Sequence, residues 1–193
     1  MAKEHNNEDY KIIVLDDDPT GTQTVHDVFV YTDWSEENIK AGFEGENRMF
    51  YILTNSRSFT AEETERAHKE IARNILKAAD GRRFVIVSRS YSTLRCHYPL
   101  ENDVLRETLE NEGGIKTDGE ILVPFFLEGG RYTIDNIHYV KTGEKLIPAG
   151  ETEFARDATF GYKNSDLTKY IEEKTRGAVK AEEVKSISIE MLE

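Results

Sequence analysis

The sequence predicts an α/β fold, a mostly parallel central sheet flanked by helices with a small hairpin excursion around 132–148. Three observations carry that expectation. Short apolar runs rich in β-branched and aromatic residues recur at 11–15, 28–31, 49–53, 84–87 and 121–126. Each is followed by polar or turn-forming residues, the mark of a buried strand. Helical patterns with identifiable ends lie between them, and parallel neighbours need crossovers of that length.

Taken in order, the run KIIVL stops at Asp16-Asp17-Asp18-Pro19-Thr20-Gly21, so the first strand ends in an acidic turn. Ser35 is placed to cap a short helix through Ala41, with Trp34 packing back on its first turns. Thr60 and Glu63 have capping-box spacing, Ala67, Ile71 and Ile75 recur every fourth residue, and Gly81 follows as a stop. A third helix starts around Pro99, buries Leu100, Val104, Leu105 and Leu109, and ends at Gly113-Gly114. Between 132 and 148, Asp135-Asn136 and Gly143 separate short apolar segments, hence the hairpin. Asn164 or Ser165 is the expected cap of a helix to Arg176, with Gly177 as its stop, and 184–189 reads as one more strand. The expected organisation is a disordered tail over 1–10 and one α/β domain over 11–193. A parallel unit normally continues into a helix after its last strand, so a fragment or a truncated reading frame is expected.

With 25 Lys+Arg against 37 Asp+Glu, the net charge is -12, which argues against nucleic acid or an anionic membrane surface as partner. Hydrophobic residues at 38% provide enough material for a core. No apolar stretch of signal-peptide type opens the chain and no run nears membrane-spanning length, so a soluble cytoplasmic protein is expected. A single cysteine, Cys96, excludes an internal disulfide or a multi-thiolate zinc site. The five histidines lack metal-ligand spacing, and no metal site is assigned.

Three polar loops could carry chemistry. Carboxylates at the carboxyl end of a strand can hold a hydroxyl, a proton or a cation, and Asp16-Asp17-Asp18 with Thr20 and Gly21 sits at such a place. The second loop, Thr54-Asn55-Ser56-Arg57-Ser58, offers in Arg57 a planar fork for a carboxylate or phosphate. The third, from Ser88 to His97, sets Arg89 and Arg95 among the hydroxyls of Ser88, Ser90, Ser92 and Thr93. Acids and arginines expected on one sheet edge suit a small polyhydroxylated acid. Glu128-Gly129-Gly130-Arg131 could add a further ligand contact. Neither GxxxxGK[ST] nor GxGxxG occurs.

The strings VLDDDPTGTQTV, ILTNSRS, SRSYSTLRCHYPLE, PFFLEGGRYTIDNIHYV and ATFGYKNSDL together resemble the N-terminal domain of the four-carbon acid sugar kinases, from about Lys11 to the C-terminus. That resemblance implies a sugar-acid-binding domain for a threonate- or erythronate-type substrate, with Asp17, Asp18, Thr20, Gly21, Arg57, Arg89, Ser92, Thr93 and Arg95 as its ligand-binding residues. It also implies ATP and magnesium for the complete enzyme, bound mainly by a C-terminal domain. The chain alone is then not expected to be a competent kinase unless a separate polypeptide completes it. Two positions depart from the family's pattern: Tyr91 stands where Asp is expected and Cys96 where Gly is expected. A phenol removes an acceptor of hydroxyl protons, and a side chain at a Gly position opposes close backbone approach.

Two alternatives compete. Asp16-x-Asp18-x-Thr20 with Leu53-Thr54-Asn55 also fits a haloacid-dehalogenase-like phosphohydrolase, with Asp16 as nucleophile, Asp18 as acid/base and magnesium as cofactor. A non-catalytic sugar-acid-binding module or remnant is the other.

Overall fold

The computed structural model describes residues 10–22, 25–90 and 92–192. These fall into two compact units, a division that the sequence reading did not draw. The first comprises the described residues up to Ser90 together with Leu100–Gly119, the second residues 92–99 and 120–192.

The first unit is built on four parallel strands, β1 (Tyr10–Asp16), β2 (Phe29–Tyr31), β3 (Met49–Leu53) and β4 (Arg83–Arg89), in the order β2-β3-β1-β4. Alternation along the strands sends Ile13 and Leu15 of β1 and Phe50 and Ile52 of β3 to one face. There they meet Ile39 and Phe43 of α1 (Glu36–Glu44), Ile71 and Ile75 of α2 (Ala61–Ala79), and Leu105 and Leu109 of α3 (Leu100–Gly113). Ser35 caps α1 by accepting from the Asn38 amide, and that helix runs past Ala41 to Glu44. Trp34 packs against this core. In α3 Leu105 and Leu109 are buried, whereas Leu100 and Val104 are half-buried.

Helix α2 starts and stops as its sequence predicts. Thr60 accepts from the Glu63 amide while the Glu63 carboxylate accepts from the Thr60 amide. Asp80 and Gly81 then turn the chain through left-handed conformations. Replacing Thr60 by Ala removes one half of this reciprocal cap. The expected cost is about 1 kcal/mol, readable as a shift in urea midpoint.

The second unit contains an antiparallel meander, β5 (Arg131–Ile134), β6 (Ile137–Thr142) and β7 (Lys145–Pro148). Its turns use Asp135 and Asn136, both at positive φ, and Gly143. Its core joins Val140 to Leu94, Ala149, Ala155 and Tyr162, and to Leu167, Tyr170 and Ile171 of α4 (Leu167–Lys174).

Several boundaries differ from expectation. The segment 121–126 is not a strand: only Phe126 bridges, to Arg131, and Pro124 has no amide to donate. Its alternate side chains Ile121, Val123, Phe125 and Leu127 are 79, 70, 53 and 52% exposed. The 184–189 run also forms no strand, and Ile187 and Ile189 are exposed before a short turn at Ile189–Met191. The cap of α4 is Asp166, which accepts from the Thr168 amide. Asn164 is engaged with Glu173, and the Ser165 hydroxyl accepts from the Gly150 amide. That helix closes at Lys174, after which Arg176 and Gly177 take positive φ. The tail expected over 1–10 lies outside the described residues except for Tyr10, which opens β1.

Candidate functional site

Strand register assembles the acidic cluster of the first unit. Asp16 stands beside Leu53 of β3 and Arg89 of β4, so it shares a sheet face and an edge with Arg89. An Arg89 Nη donates to Asp16 Oδ1 at 3.3 Å. Asp16 is buried, and its backbone carbonyl accepts from both the amide and the hydroxyl of Thr54, at 2.8 and 3.0 Å. Burial raises the Asp16 pKa above its ordinary value, with the nearby Arg89 charge opposing. Tyr51, on the same face, is also pushed up, by burial and then by the Asp16 charge.

The next two acids meet the β3–α2 loop. Asn55, at positive φ, turns the chain so that Arg57 reaches back to both. Its Nε and one Nη clamp the Asp17 carboxylate at 3.0 and 2.8 Å, and its other Nη donates to Asp18 Oδ2 at 2.6 Å. Asp17 is fully buried. Burial pushes it up to about 6 even though the Arg57 fork pulls the other way. Asp18 lies below its ordinary value: desolvation opposes this, but the hydroxyl and amide of Thr20 and the Arg57 charge prevail. Gly21 serves the turn by its lack of a side chain. A Cβ there would lie 1.8 Å from Asp16 Oδ2.

A carboxylate that the sequence reading did not single out sits beneath this edge. Glu101, at the start of α3, is buried and accepts from the hydroxyls of Ser56, at 3.3 Å, Ser88, at 3.3 Å, and Ser90. The Ser88 and Ser90 hydroxyls that looked like parts of an anion cradle are thus turned toward the chain's own carboxylate. The signal available in sequence was only an acid two residues after Pro99 at a helix start, and that placement is common.

Ser92, Thr93 and Arg95 belong to the second unit, and Tyr91 lies outside the described residues. Thr93 and Leu94 both take positive φ, 54 and 60°, which is costly for a β-branched residue and a bulky one. Three side chains hold them. Arg131 Nε donates to the Thr93 hydroxyl at 2.9 Å, Tyr162 OH to the Thr93 carbonyl at 2.9 Å, and Tyr170 OH to the Leu94 carbonyl at 3.2 Å. Burial raises Tyr162 to about 12 and Tyr170 further still, so both phenols stay protonated as donors. Cys96 is buried in this unit beside Tyr170.

Among the described residues no three His, Cys, Asp or Glu side chains stand where they could share a metal ion. Both Asp17 oxygens are held by Arg57. The cluster therefore does not fit a magnesium ion, and its carboxylates act as hydrogen-bond acceptors. The hydrolase alternative needs an Asp16 open to attack, whereas this side chain is buried with Gly21 packed on its carboxylate.

A family model described as "Sugar-binding N-terminal domain" matches residues 12–192. The chain belongs to that family, the N-terminal domain of the four-carbon acid sugar kinases. No curated protein and no solved structure matches this sugar-binding domain. Among its described residues, no helix is long and apolar enough to cross a membrane.

Proposed function

We propose that this sugar-binding domain holds a four-carbon sugar acid of threonate or erythronate type, the acceptor substrate of an ATP-dependent kinase. The observation that carries the reading is Arg89. Among the described residues its side chain has one hydrogen-bond partner, Asp16 at 3.3 Å, and it is about one-third exposed. Its remaining donors can meet a substrate carboxylate in the bidentate manner that guanidinium groups favour. Asp18, just past the carboxyl end of β1 and partly exposed, supplies acceptors for the substrate hydroxyls.

Arg57 acts mainly as the anchor that holds Asp17 and Asp18 in place. Two of its five N–H groups are left for the ligand beyond the three given to the aspartates. Gly21 and Thr20 fix the turn over this edge. In the reading proposed here the domain binds and orients the acceptor, and ATP and magnesium come with a separate nucleotide-binding half.

Calorimetric titration with threonate and erythronate tests this. Wild type binds at least one of them, and ATP with magnesium leaves the affinity unchanged. Arg89→Gln weakens binding about ten- to hundredfold, the effect of losing a charge-assisted pair. Equal affinity in the Arg89→Gln protein would sink the reading.

A further inference from the structure

A buried carboxylate is normally matched by a cation, because removing its charge from water is costly. Asp16 and Asp17 follow that rule, held by Arg89 and Arg57. Glu101 of α3 does not. It is only 2% exposed, and its partners among the described residues are the hydroxyls of Ser56, Ser88 and Ser90. Ser56 donates to Oε1, whereas Ser88 and Ser90, 2.9 Å from each other, both meet Oε2.

The three serines are neighbours in sequence of the two arginines of the site. Ser56 immediately precedes Arg57, and Ser88 and Ser90 flank Arg89. Successive side chains of a strand point to opposite faces. Ser88 stands beside Leu15, a residue of the helix-covered core, and there Glu101 holds it. Arg89 is thereby left on the other face, next to Asp16. On the neighbouring loop, the Ser56 hydroxyl lies 3.1 Å from that of Thr54, which in turn reaches the Asp16 carbonyl. One carboxylate therefore ties together the loop that carries Arg57, the strand end that carries Arg89, and the backbone of Asp16.

We propose that Glu101 is a positioning residue for ligand binding, an inference that rests on the sugar-acid reading above. Through Ser88 and Ser90 it fixes the direction of the Arg89 guanidinium. Through Ser56 it fixes the loop from which Arg57 holds Asp17 and Asp18. Its own side chain touches no ligand. Groups held in place beforehand lose less freedom when the ligand arrives, which is where the gain in affinity comes from. An amide in place of the carboxylate has one accepting oxygen, so Ser56 and the Ser88–Ser90 pair cannot both keep their present bonds.

The test compares the full-length wild type, Glu101→Gln and Ser90→Ala by two readouts. NMR follows the Nε–H signals of Arg57 and Arg89, and calorimetry follows titration with threonate and erythronate. In Glu101→Gln the arginine signals are expected to shift and exchange faster with water, and affinity for the sugar acid to fall about tenfold. In an Arg89→Gln background the same substitution should cost less than about threefold, because a group it positions is already gone. Ser90→Ala decides by the same readouts if circular dichroism shows Glu101→Gln misfolded. Wild-type arginine signals in the folded variant overturn the proposal, as does an unchanged affinity or an equal loss with and without Arg89. Shifted arginine signals in a protein whose wild type binds neither acid would uphold the positioning by Glu101 and remove the proposed substrate instead.

Discussion

Replacing Arg57 by Leu is expected to lower the unfolding free energy by about 3–5 kcal/mol, the range found when one partner of a buried ion pair is removed. The reason is Asp17. Its carboxylate is fully buried, and both its oxygens are held by the Arg57 fork. Without that fork the charged form has no compensation, so its already raised pKa rises further. A raised carboxyl pKa contributes stability that is fully present below the unfolded value and lost as pH rises through the folded value. The deficit of the Arg57→Leu protein should therefore be largest near neutral pH and shrink on acidification. Urea unfolding at about pH 7 and about pH 5 measures this. A deficit that is small, or the same at both values, contradicts the role given to the pair.

The two most strongly displaced groups with values in the working range drive opposite pH slopes. Asp17 rises from 3.8 to about 6, chiefly through burial, so its contribution is lost as pH climbs through that window. His138 falls from 6.5 to about 4, through burial and then the Arg131 charge, so it stays neutral in the fold. Its contribution is present above pH 6.5 and lost as pH drops toward 4. Each displacement corresponds to something on the order of 3 kcal/mol across its window. Relative to wild type, Asp17→Asn should lose stability on acidification from neutral pH, whereas His138→Gln should gain. Parallel slopes in the two variants, measured by urea midpoints across that range, would contradict one of the two assignments.

The strands of the first unit were legible because each apolar run ends at a polar turn, and those turns carry the site. Asp16, Asp17, Asp18, Arg57 and Arg89 could all be named from that logic. Their pairing could not. Arg57 lies 40 positions from Asp17, and nothing in spacing says that its fork is used within the protein rather than on a ligand. Glu101 with its three serines, and Tyr162 and Tyr170 on the carbonyls of Thr93 and Leu94, were hidden for the same reason. The last two contacts span 69 and 76 positions. The 121–126 run misled because an apolar run describes the composition of a segment, not the presence of a neighbour to pair with. The Asp166 cap was missed because Asn164 and Ser165 are equally good caps by residue type, and only tertiary contacts remove them from contention.

Strand order has a consequence for how the chain emerges during synthesis. The central strand β1 is made first, yet its two neighbours β3 and β4 follow much later. At about 5–20 residues per second, β1 waits for β4 roughly 4–15 s. Until the pairing arginines have been made its acidic end is uncompensated, which keeps an otherwise sticky segment hydrated. Each arriving strand then brings its own neutralising arginine. Arg57 follows β3 and reaches Asp17 and Asp18, and Arg89 ends β4 and reaches Asp16. A strand that docks one residue out of step leaves those charges unmatched, so the site chemistry also proofreads the register of the sheet.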